Sequence, residues 1–221
     1  MRDDQPWTAE YFDGIFQEPD PWRYFTSPYE RTKYQRQMEI IKDHRPEPER
    51  ILEIGSAEGA QTALLAERFQ SADITAVEIS SQAVKRAREN LKPYLDRVEL
   101  INEDVAKYEP MLRDGSYDVC LWSESIYYLG AKLTVTETFD LLARMVGKLK
   151  DGGLLVSANV VDLPEEVPES RLTRRPLIDC YCQMLSGLAV PISKAAYQEK
   201  KGKKVYEYQI WAFAAPALSF L

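Results

Sequence analysis

Histidine and cysteine are scarce in this sequence of 221 residues, which contains one histidine and three cysteines. A zinc site built from these residues needs more ligands than that, so we predict no metal centre. The cysteines are Cys120, Cys180 and Cys182, and the last two are too close in sequence for an unstrained disulfide. A sparse, odd set of thiols is typical of a reducing compartment, and we predict a cytoplasmic location.

Long apolar runs and an excess of positive charge are also missing. No stretch of about 18 apolar residues is present, so we predict no membrane-spanning helix, and no apolar segment of a secretory signal follows the first six residues. The formal net charge is −7. That charge disfavours nucleic-acid binding, whose affinity comes largely from neutralising phosphates. The basic cluster at 200–204 surrounds Gly202 between β-like segments, which favours a solvated hairpin turn over an RNA-binding patch.

The segment from Ile51 to Gly59 carries the strongest signal in the chain. A short apolar run leads into a turn of small residues and then into a helix-like segment, as in the first strand-turn-helix unit of a nucleotide-binding α/β sheet. Gly55 allows a sharp turn off the strand, and Gly59, which has no Cβ, allows the next helix and a ligand to approach closely. Glu78 ends the next apolar run, about 20 residues on, where such folds place a carboxylate that binds ribose hydroxyls.

This turn is acidic, because Glu53 and Glu58 flank it and it contains no lysine or arginine. It would repel a pyrophosphate and would accept a nucleoside that carries a positive charge. The sequence therefore favours S-adenosylmethionine over NAD as the cofactor. A bare carboxylate at the end of an apolar run is costly without a partner, which favours a ligand role for Glu78 over that of a solvated acid.

Strand-like and helix-like segments alternate along the chain, which predicts a parallel sheet. Ser27 and Pro28 provide a start signal for the helix at 28–44. We expect an α/β fold with a Rossmann-like, doubly wound, mostly parallel seven-stranded sheet and an antiparallel terminal hairpin, in a single domain spanning 1–221. The predicted strands are 50–54, 73–79, 97–101, 117–122 and 154–160, the last after a turn at Gly152-Gly153, with a terminal pair at 189–199 and 204–214. The predicted helices are 28–44, 59–69, 80–91, 134–146 and 175–187.

Five segments, in this order, resemble the class I S-adenosylmethionine-dependent methyltransferases. The resemblance covers most of residues 34–160, and the ordered set is more specific than the turn alone. Ala57 stands where many members have a middle glycine, and alanine is a frequent alternative there. The segments are Glu53 to Gly59, Ala76 to Ser80, Asn102 to Asp104, Tyr117 to Val119 and Leu149 to Gly153.

Ligands of open α/β sheets bind beyond the carboxyl ends of the strands, so the residues there form the predicted site. The turn after strand one should hold the methionine part of the cofactor. The resemblance implies that Asp104 accepts a hydrogen bond from the adenine amino group, beside the backbone of Val105, although a helix cap is the alternative for this aspartate. The predicted cofactor contacts on the sheet are Glu53, Gly55, Ser56, Ala57, Gly59, Glu78, Ile79, Asp104, Val105 and Ser123.

The segment after strand four should lie between the cofactor and the methyl acceptor. Glu124 can accept a proton or a hydrogen bond from an amine or a hydroxyl. Tyr127 and Tyr128 offer aromatic faces that attract cations, and for Tyr128 core packing is as plausible as function. Glu124 and Tyr127 are the predicted catalytic residues. A neutral amine needs mainly proximity and a hydroxyl needs a base, but His44 precedes strand one and so falls at the wrong edge of the sheet.

The N-terminal segment resembles the opening of the NodS-like methyltransferases, which include nodulation N-methyltransferases that act on chitooligosaccharide amines. The resembling segments are Tyr11 to Phe16, Asp20 to Tyr24 and Thr26 to Tyr34. The resemblance implies that residues 1–34 close over the cofactor as a lid, with Trp22, Tyr29 and Tyr34 as cofactor or lid contacts, and packing against the domain is the alternative for each. It also favours a nitrogen atom of a small molecule as the acceptor, while the acceptor itself and the oligomeric state stay open.

Two other functions stay open on the residues alone. An NAD-dependent oxidoreductase needs a tighter glycine turn and a catalytic tyrosine–lysine pair or histidine, which the pattern does not place. A non-catalytic protein that binds S-adenosylmethionine would keep the same motifs.

Overall fold

The computed structural model describes residues 7–201 and 204–217. Helices and strands alternate as the sequence predicts. In chain order they are α1 (Ala9–Ile15), α2 (Pro28–His44), β1 (Arg50–Ile54), α3 (Ala60–Arg68), β2 (Asp73–Glu78), α4 (Ser81–Asn90), β3 (Val98–Asn102), α5 (Val105–Tyr108), β4 (Tyr117–Trp122), α6 (Leu129–Lys132), α7 (Val135–Gly147), β5 (Leu149–Val161), α8 (Arg175–Leu188), β6 (Val190–Lys201) and β7 (Lys204–Ala214).

The strands form a seven-stranded sheet in the order β3-β2-β1-β4-β5-β7-β6. The first five run parallel, and β7 pairs antiparallel with both β5 and β6. The chain moves outward from β1 to β3 and then returns to β4 on the other side of β1, which leaves a crevice beyond the carboxyl ends of β1 and β4. The expected Rossmann-like sheet with an antiparallel terminal hairpin is confirmed. The predicted hairpin turn at Gly202 lies outside the described residues.

Helix α2 begins and ends where the sequence predicts. Pro28 occupies its first turn, where a missing N–H costs nothing, and the helix ends at His44, just before Arg45-Pro46. Its buried face follows helical spacing but includes charged side chains: Glu30 and Lys33 are 4% and 2% exposed. A helix face that buries two charges points to a site as well as to a core.

Strand β5 begins earlier than predicted, at Leu149 instead of Leu154. The pair Gly152-Gly153 was predicted to form a turn before the strand, and that boundary is wrong. The two glycines lie within β5, where the pairing register with β4 shifts between Tyr117 and Val119. Backbone bonds with Ala215 tie both glycines to the chain that leaves β7: the Gly152 N–H donates to Ala215 O, and the Ala215 N–H donates to Gly153 O. A bulge in an irregular register therefore takes the place of the predicted turn.

Both faces of the sheet are covered by helices. Along β4, Cys120 and Trp122 pack with residues of α7 and α8, whereas Val119 and Leu121 pack with residues of α2, α3 and α4. Alternate side chains thus enter opposite layers, as the pleat of a strand requires. None of the described helices is long and apolar enough to cross a membrane.

Candidate active site

A cavity of about 540 Å³ lies at the crevice beyond β1, β2 and β4. On one side it is lined by the turn after β1 and the end of β2, and we call this the glycine side (Glu53, Gly55, Ser56, Glu78 and Asp104). On the other it is lined by α2, the segment after β4 and the terminal hairpin, and we call this the tyrosine side (Lys33, Glu124, Tyr127, Val160 and Tyr208). All the predicted site residues except Gly59 line this cavity.

The turn after β1 leaves no room for a side chain at Gly55. This residue has a φ of 77°, and a Cβ there would lie 2.6 Å from Ser125 Oγ. Gly59 also has a positive φ, but its missing Cβ makes room for Leu91, at 2.7 Å from Cδ1. The structure therefore assigns Gly59 to the packing of α3 against α4 and not to ligand approach, which corrects the sequence-based expectation.

Glu78 ends β2 with its carboxylate bound to two backbone amides. Its Oε2 accepts from the Ala57 N–H at 2.9 Å, and its Oε1 accepts from the Ser80 N–H at 2.8 Å. Burial raises the pKa of Glu78. The hydrogen bonds from these two amides and from the Ile79 amide oppose that rise. Each carboxylate oxygen can accept a further hydrogen bond, so the predicted contact with two ribose hydroxyls remains open to it.

Replacing Glu78 with alanine should weaken the binding of S-adenosylhomocysteine by about 1.5–3 kcal/mol, the range for hydrogen bonds to a charged group. The matched control is Glu99→Ala, which removes an exposed acid from the adjacent strand β3. Isothermal titration of the three proteins measures the difference. Equal affinity of Glu78→Ala and wild type would place the ribose elsewhere.

Glu53 is a second buried acid on the glycine side. It is 2% exposed, and its Oε2 accepts from Thr62 Oγ1 at 2.6 Å. Burial raises the pKa of Glu53 to about 8; the bond from Thr62 opposes this rise, and the neighbouring charge of Glu78 adds to it. An acid that holds a proton at neutral pH is ready to give it up when a cation binds beside it.

The acidity of Glu53 gives the stability of the protein a pH dependence. The group ionises near 4.5 when unfolded and near 8 when folded, so the folded protein holds a proton that the unfolded chain has released. This contribution to the free energy of unfolding is present below pH 4.5 and is lost as pH rises toward about 8, at up to ~1.4 kcal/mol per pH unit. Urea unfolding across this window should show a flatter slope for Glu53→Gln. An unchanged slope would contradict the assignment.

Glu58 does not contribute to the acidic turn as predicted. It is not among the residues that line the cavity; its Oε1 pairs with Arg86 at 2.7 Å and its Oε2 accepts from the Asp20 N–H at 2.8 Å. The acids that face a ligand on the glycine side are therefore Glu53 and Glu78, and Glu53 becomes charged when it gives up its proton to solvent beside a bound cation. Among the described residues, two buried polar atoms that no protein group satisfies, Ser56 Oγ and Gln61 Nε2, belong to this lining. No sequence pattern pointed to Gln61.

Asp104 combines the two roles that the sequence left open. Its Oδ1 caps α5 by accepting from the Ala106 N–H at 3.0 Å, and its Oδ2 pairs with Lys132 at 3.0 Å. The residue also lines the cavity with Val105. The cap is thus present, and contact with an adenine ring stays a prediction.

Glu124 dominates the tyrosine side. It has a φ of 55°, which is strained for a residue with a side chain and is typical of functional sites. Its Oε1 lies 3.2 Å from Lys33 Nζ, and its Oε2 accepts from the Tyr127 hydroxyl at 3.3 Å and from the Val160 N–H at 3.2 Å. Lys33 also pairs with Glu30 at 2.7 Å. Reasoning from sequence missed Lys33 and Glu30, since charged residues on a helix usually face solvent.

The predicted aromatic residues divide between the two sides. Tyr29 packs edge-on against Tyr206 and Tyr208 of β7 and shares a hydrogen bond between hydroxyls with Tyr208, which places it on the tyrosine side. Tyr34 lies on α2 with its ring 5.4 Å from Lys33 Nζ.

Trp22 and Tyr128 line the cavity and also pack against aromatic side chains of the N-terminal segment. Trp22 packs edge-on against Phe16. Tyr128 packs beneath Trp7 and Phe12, with ring centroids 4.8 and 5.1 Å away, and also lines the cavity. Packing and cavity lining therefore both apply to Tyr128.

The N-terminal segment (residues 7–27) is fastened over the glycine side by two charged residues. Asp13 accepts from Ser80 Oγ at 2.6 Å, from Ser81 Oγ at 2.8 Å and from the Gln82 N–H. Arg86 donates to Glu58 and to the carbonyl oxygens of residues 16 and 17, at 2.6 and 2.8 Å. Asp13 of α1 binds the start of α4, and Arg86 reaches the segment from within α4, so the segment is held to the helix that follows Glu78.

Replacing Arg86 with alanine should loosen this segment, because four acceptors lose their donor: Glu58 and the carbonyl oxygens of residues 16, 17 and 18. We expect faster proteolytic cleavage within residues 7–27 and weaker binding of S-adenosylhomocysteine. The control is Arg88→Ala, which removes an exposed arginine from the same helix. Limited proteolysis of both variants and wild type, with and without S-adenosylhomocysteine, is the measurement. Identical cleavage of Arg86→Ala and Arg88→Ala would show that the aromatic contacts hold the segment without Arg86.

The sheet order, the glycine turn and the acids at the strand ends define the fold of the class I S-adenosylmethionine-dependent methyltransferases. A solved structure of this fold, N-methyltransferase NodS from Bradyrhizobium japonicum WM9 in complex with S-adenosyl-L-homocysteine, superposes with a TM-score of 0.75 at 20% identity, covering 94% of this chain and 98% of that one. The sequence model of the family described as Nodulation protein S (NodS) matches residues 13–159. The chain therefore belongs to the NodS family, as its N-terminal segment and motifs predicted.

Curated relatives share the central part of the chain. The malonyl-[acyl-carrier protein] O-methyltransferase of Geobacter sulfurreducens is 31% identical over 124 residues, which is 56% of this chain and 43% of the relative. The tRNA1(Val) (adenine(37)-N6)-methyltransferase of Tolumonas auensis is 34% identical over 112 residues, which is 49% of this chain and 45% of the relative. The chain thus spans less than half the length of these two relatives, and their acceptors differ from each other.

Proposed function

We propose that this protein is an S-adenosylmethionine-dependent methyltransferase that methylates a nitrogen atom of a small molecule. The observation that carries the proposal is the pairing of two sides in one cavity: buried acids around a glycine turn, and a carboxylate among tyrosines in the segment that follows β4. S-adenosylmethionine supplies, when bound, an electrophilic methyl group on a positively charged sulfur.

The glycine side fits this cofactor. Gly55 lets the turn after β1 pass close to Ser125, and Ser56 Oγ and Gln61 Nε2 offer unsatisfied polar groups to an amino-acid tail. Glu78, together with Glu53 once a cation beside it displaces its proton, supplies negative charge for a ligand with two cationic groups. NAD, with its pyrophosphate, meets repulsion at the same place.

The tyrosine side fits an amine acceptor. Glu124 is placed to accept a proton or hydrogen bond from the nucleophile, and Tyr127 holds one of its oxygens in place. The tyrosine rings offer favourable faces to an ammonium group. We propose Glu124 and Tyr127 as catalytic residues, and we move Tyr29 from the cofactor to the acceptor because it packs with Tyr206 and Tyr208.

The acceptor is proposed to be compact, since a cavity of about 540 Å³ has to hold it together with the cofactor. A nucleic-acid acceptor, such as the tRNA named for the Tolumonas relative, is disfavoured by the net charge of −7. We propose residues 1–34 as the lid and 35–221 as the core of one domain. A cytoplasmic location fits Cys120, Cys180 and Cys182, which are free thiols.

Isothermal titration tests the cofactor first. S-adenosylhomocysteine should bind, and NAD and NADP should give no measurable heat. Release of S-adenosylhomocysteine from S-adenosylmethionine is then followed over matched panels of small amines and alcohols, where amines should react. Tighter binding of NAD would sink the proposal, and binding without turnover on either panel would favour a non-catalytic protein.

A further inference from the structure

We propose that Lys33 and Glu30 are positioning residues that set the charge on Glu124, so that Glu124 is an ionised proton acceptor inside the cavity. This inference rests on the proposed function for its chemical purpose, but the charge itself is a property of the protein alone. Lys33 Nζ lies 2.7 Å from Glu30 and 3.2 Å from Glu124. The three side chains are 3%, 5% and 16% exposed, respectively.

One cation is shared here between two carboxylates. Glu30 and Lys33 are one turn apart on α2, so the helix fixes their separation, whereas Glu124 comes from beyond β4. The strained φ of Glu124 and the bond from its N–H to Ala158 O at 2.9 Å aim its side chain at Lys33. A buried lysine without a partner would be very costly, so the cluster persists because the charges compensate one another.

The balance of charges follows from the surroundings. Burial raises the pKa of Glu124 above its ordinary value; Lys33 opposes that rise without cancelling it, and Glu30 adds to it. Burial alone would lower the pKa of Lys33, but Glu124 and Glu30 outweigh it, so that the pKa is raised and the ammonium stays charged. Among the described residues, five phenols are affected by the charge of Glu124, and burial raises the pKa of each, so they stay neutral: Tyr24, Tyr34, Tyr127, Tyr128 and Tyr197.

An ionised Glu124 can complete a proton transfer that a neutral carboxyl group cannot. An acceptor that enters as an ammonium ion has no free electron pair. When one N–H bond breaks, the pair stays on nitrogen and the proton forms an O–H bond with Glu124, which leaves a neutral amine as the nucleophile. Glu30 competes for the same lysine and so limits how strongly Lys33 can hold Glu124 in its charged form.

Carbon-13 NMR of protein labelled at the side-chain carboxyl carbon of glutamate tests the charge directly. The signal of Glu124 is identified by its loss in Glu124→Gln. Lys33→Met should raise the titration midpoint of Glu124 by about one pH unit or more, the effect of an opposite charge at this range. Glu30→Gln should lower the midpoint, because Lys33 then serves Glu124 alone. Lys33→Arg should stay close to wild type.

The opposite signs separate this role from a merely structural one. Midpoints that do not change, or that move in the same direction in Lys33→Met and Glu30→Gln, would overturn the inference. If Lys33→Met fails to fold, the double variant Glu30→Gln/Lys33→Met removes both charges together. A titration midpoint of Glu124 above that of wild type then supports the inference, and an unchanged midpoint overturns it. Titration of wild type with S-adenosylhomocysteine is run in parallel. Absence of binding would contradict the proposed function, whereas the NMR midpoints would still decide the inference about the charge of Glu124.

Discussion

Gly55→Ala is expected to reduce the affinity for S-adenosylhomocysteine by about 100-fold, equivalent to roughly 3 kcal/mol. The added Cβ would lie 2.6 Å from Ser125 Oγ and 2.9 Å from Ser125 Cβ, distances at which the segment after β4 has to move. Ser125 follows Glu124 directly, so the displacement reaches both sides of the cavity. Isothermal titration measures the loss.

The chain offers a control that isolates the steric part of this effect. Gly115 has a φ of 60°, similar to the 77° of Gly55, but a Cβ there would meet nothing within 4 Å. Gly115→Ala therefore carries the cost of an alanine with positive φ without the collision. It should lose some stability, of the order of 1 kcal/mol, and keep its affinity. Wild-type affinity in Gly55→Ala would show that the turn can yield.

Glu124→Gln is expected to lower the rate of methyl transfer by about 10²–10⁴-fold, the usual contribution of a positioned general base. The acceptor that we propose enters as an ammonium ion, and glutamine cannot take its proton. Affinity for S-adenosylhomocysteine should be nearly unchanged, because Glu124 lies on the tyrosine side. The rate of the variant should recover in part as pH rises and the amine loses its proton to solvent.

His44→Ala is the matched control for Glu124→Gln. His44 is exposed at the end of α2, before the amino end of β1 and thus at the opposite edge of the sheet from the cavity. Its replacement should be nearly silent. A modest loss in Glu124→Gln, with no pH recovery, would mean that the amine arrives neutral and that proximity alone drives the reaction.

The sequence was most informative where local chemistry decides the structure. Ser27-Pro28 and Arg45-Pro46 fixed both ends of α2, because proline limits where a helix can start and stop. The alternation of strands and helices predicted the sheet, and the strand ends predicted nearly the whole lining of the cavity. These signals all arise within a few residues of chain.

The sequence failed where distant contacts decide. Gly152-Gly153 had the composition of a turn, but pairing with β4 and Ala215 keeps it inside β5. Glu58 was expected to add negative charge to the turn, but its carboxylate pairs with Arg86 of α4. Lys33 had the appearance of a surface residue, and only the arrival of Glu124, 91 positions away, reveals its role. Each outcome depends on an interaction between segments that no local pattern encodes.

Helix α2 is a single rigid element whose side chains line the cavity. The charge of Glu53 affects the phenol of Tyr34. Glu30 lies one turn before Tyr34 on the same helix, and Lys33 lies between them in sequence. A ligand that shifts α2 toward one side also shifts it relative to the other. Any movement of α2 on ligand binding links the two binding equilibria thermodynamically, and by reciprocity each ligand then changes the affinity of the other by the same factor. An acceptor identified in future should thus be recognisable by how much it tightens or loosens S-adenosylhomocysteine.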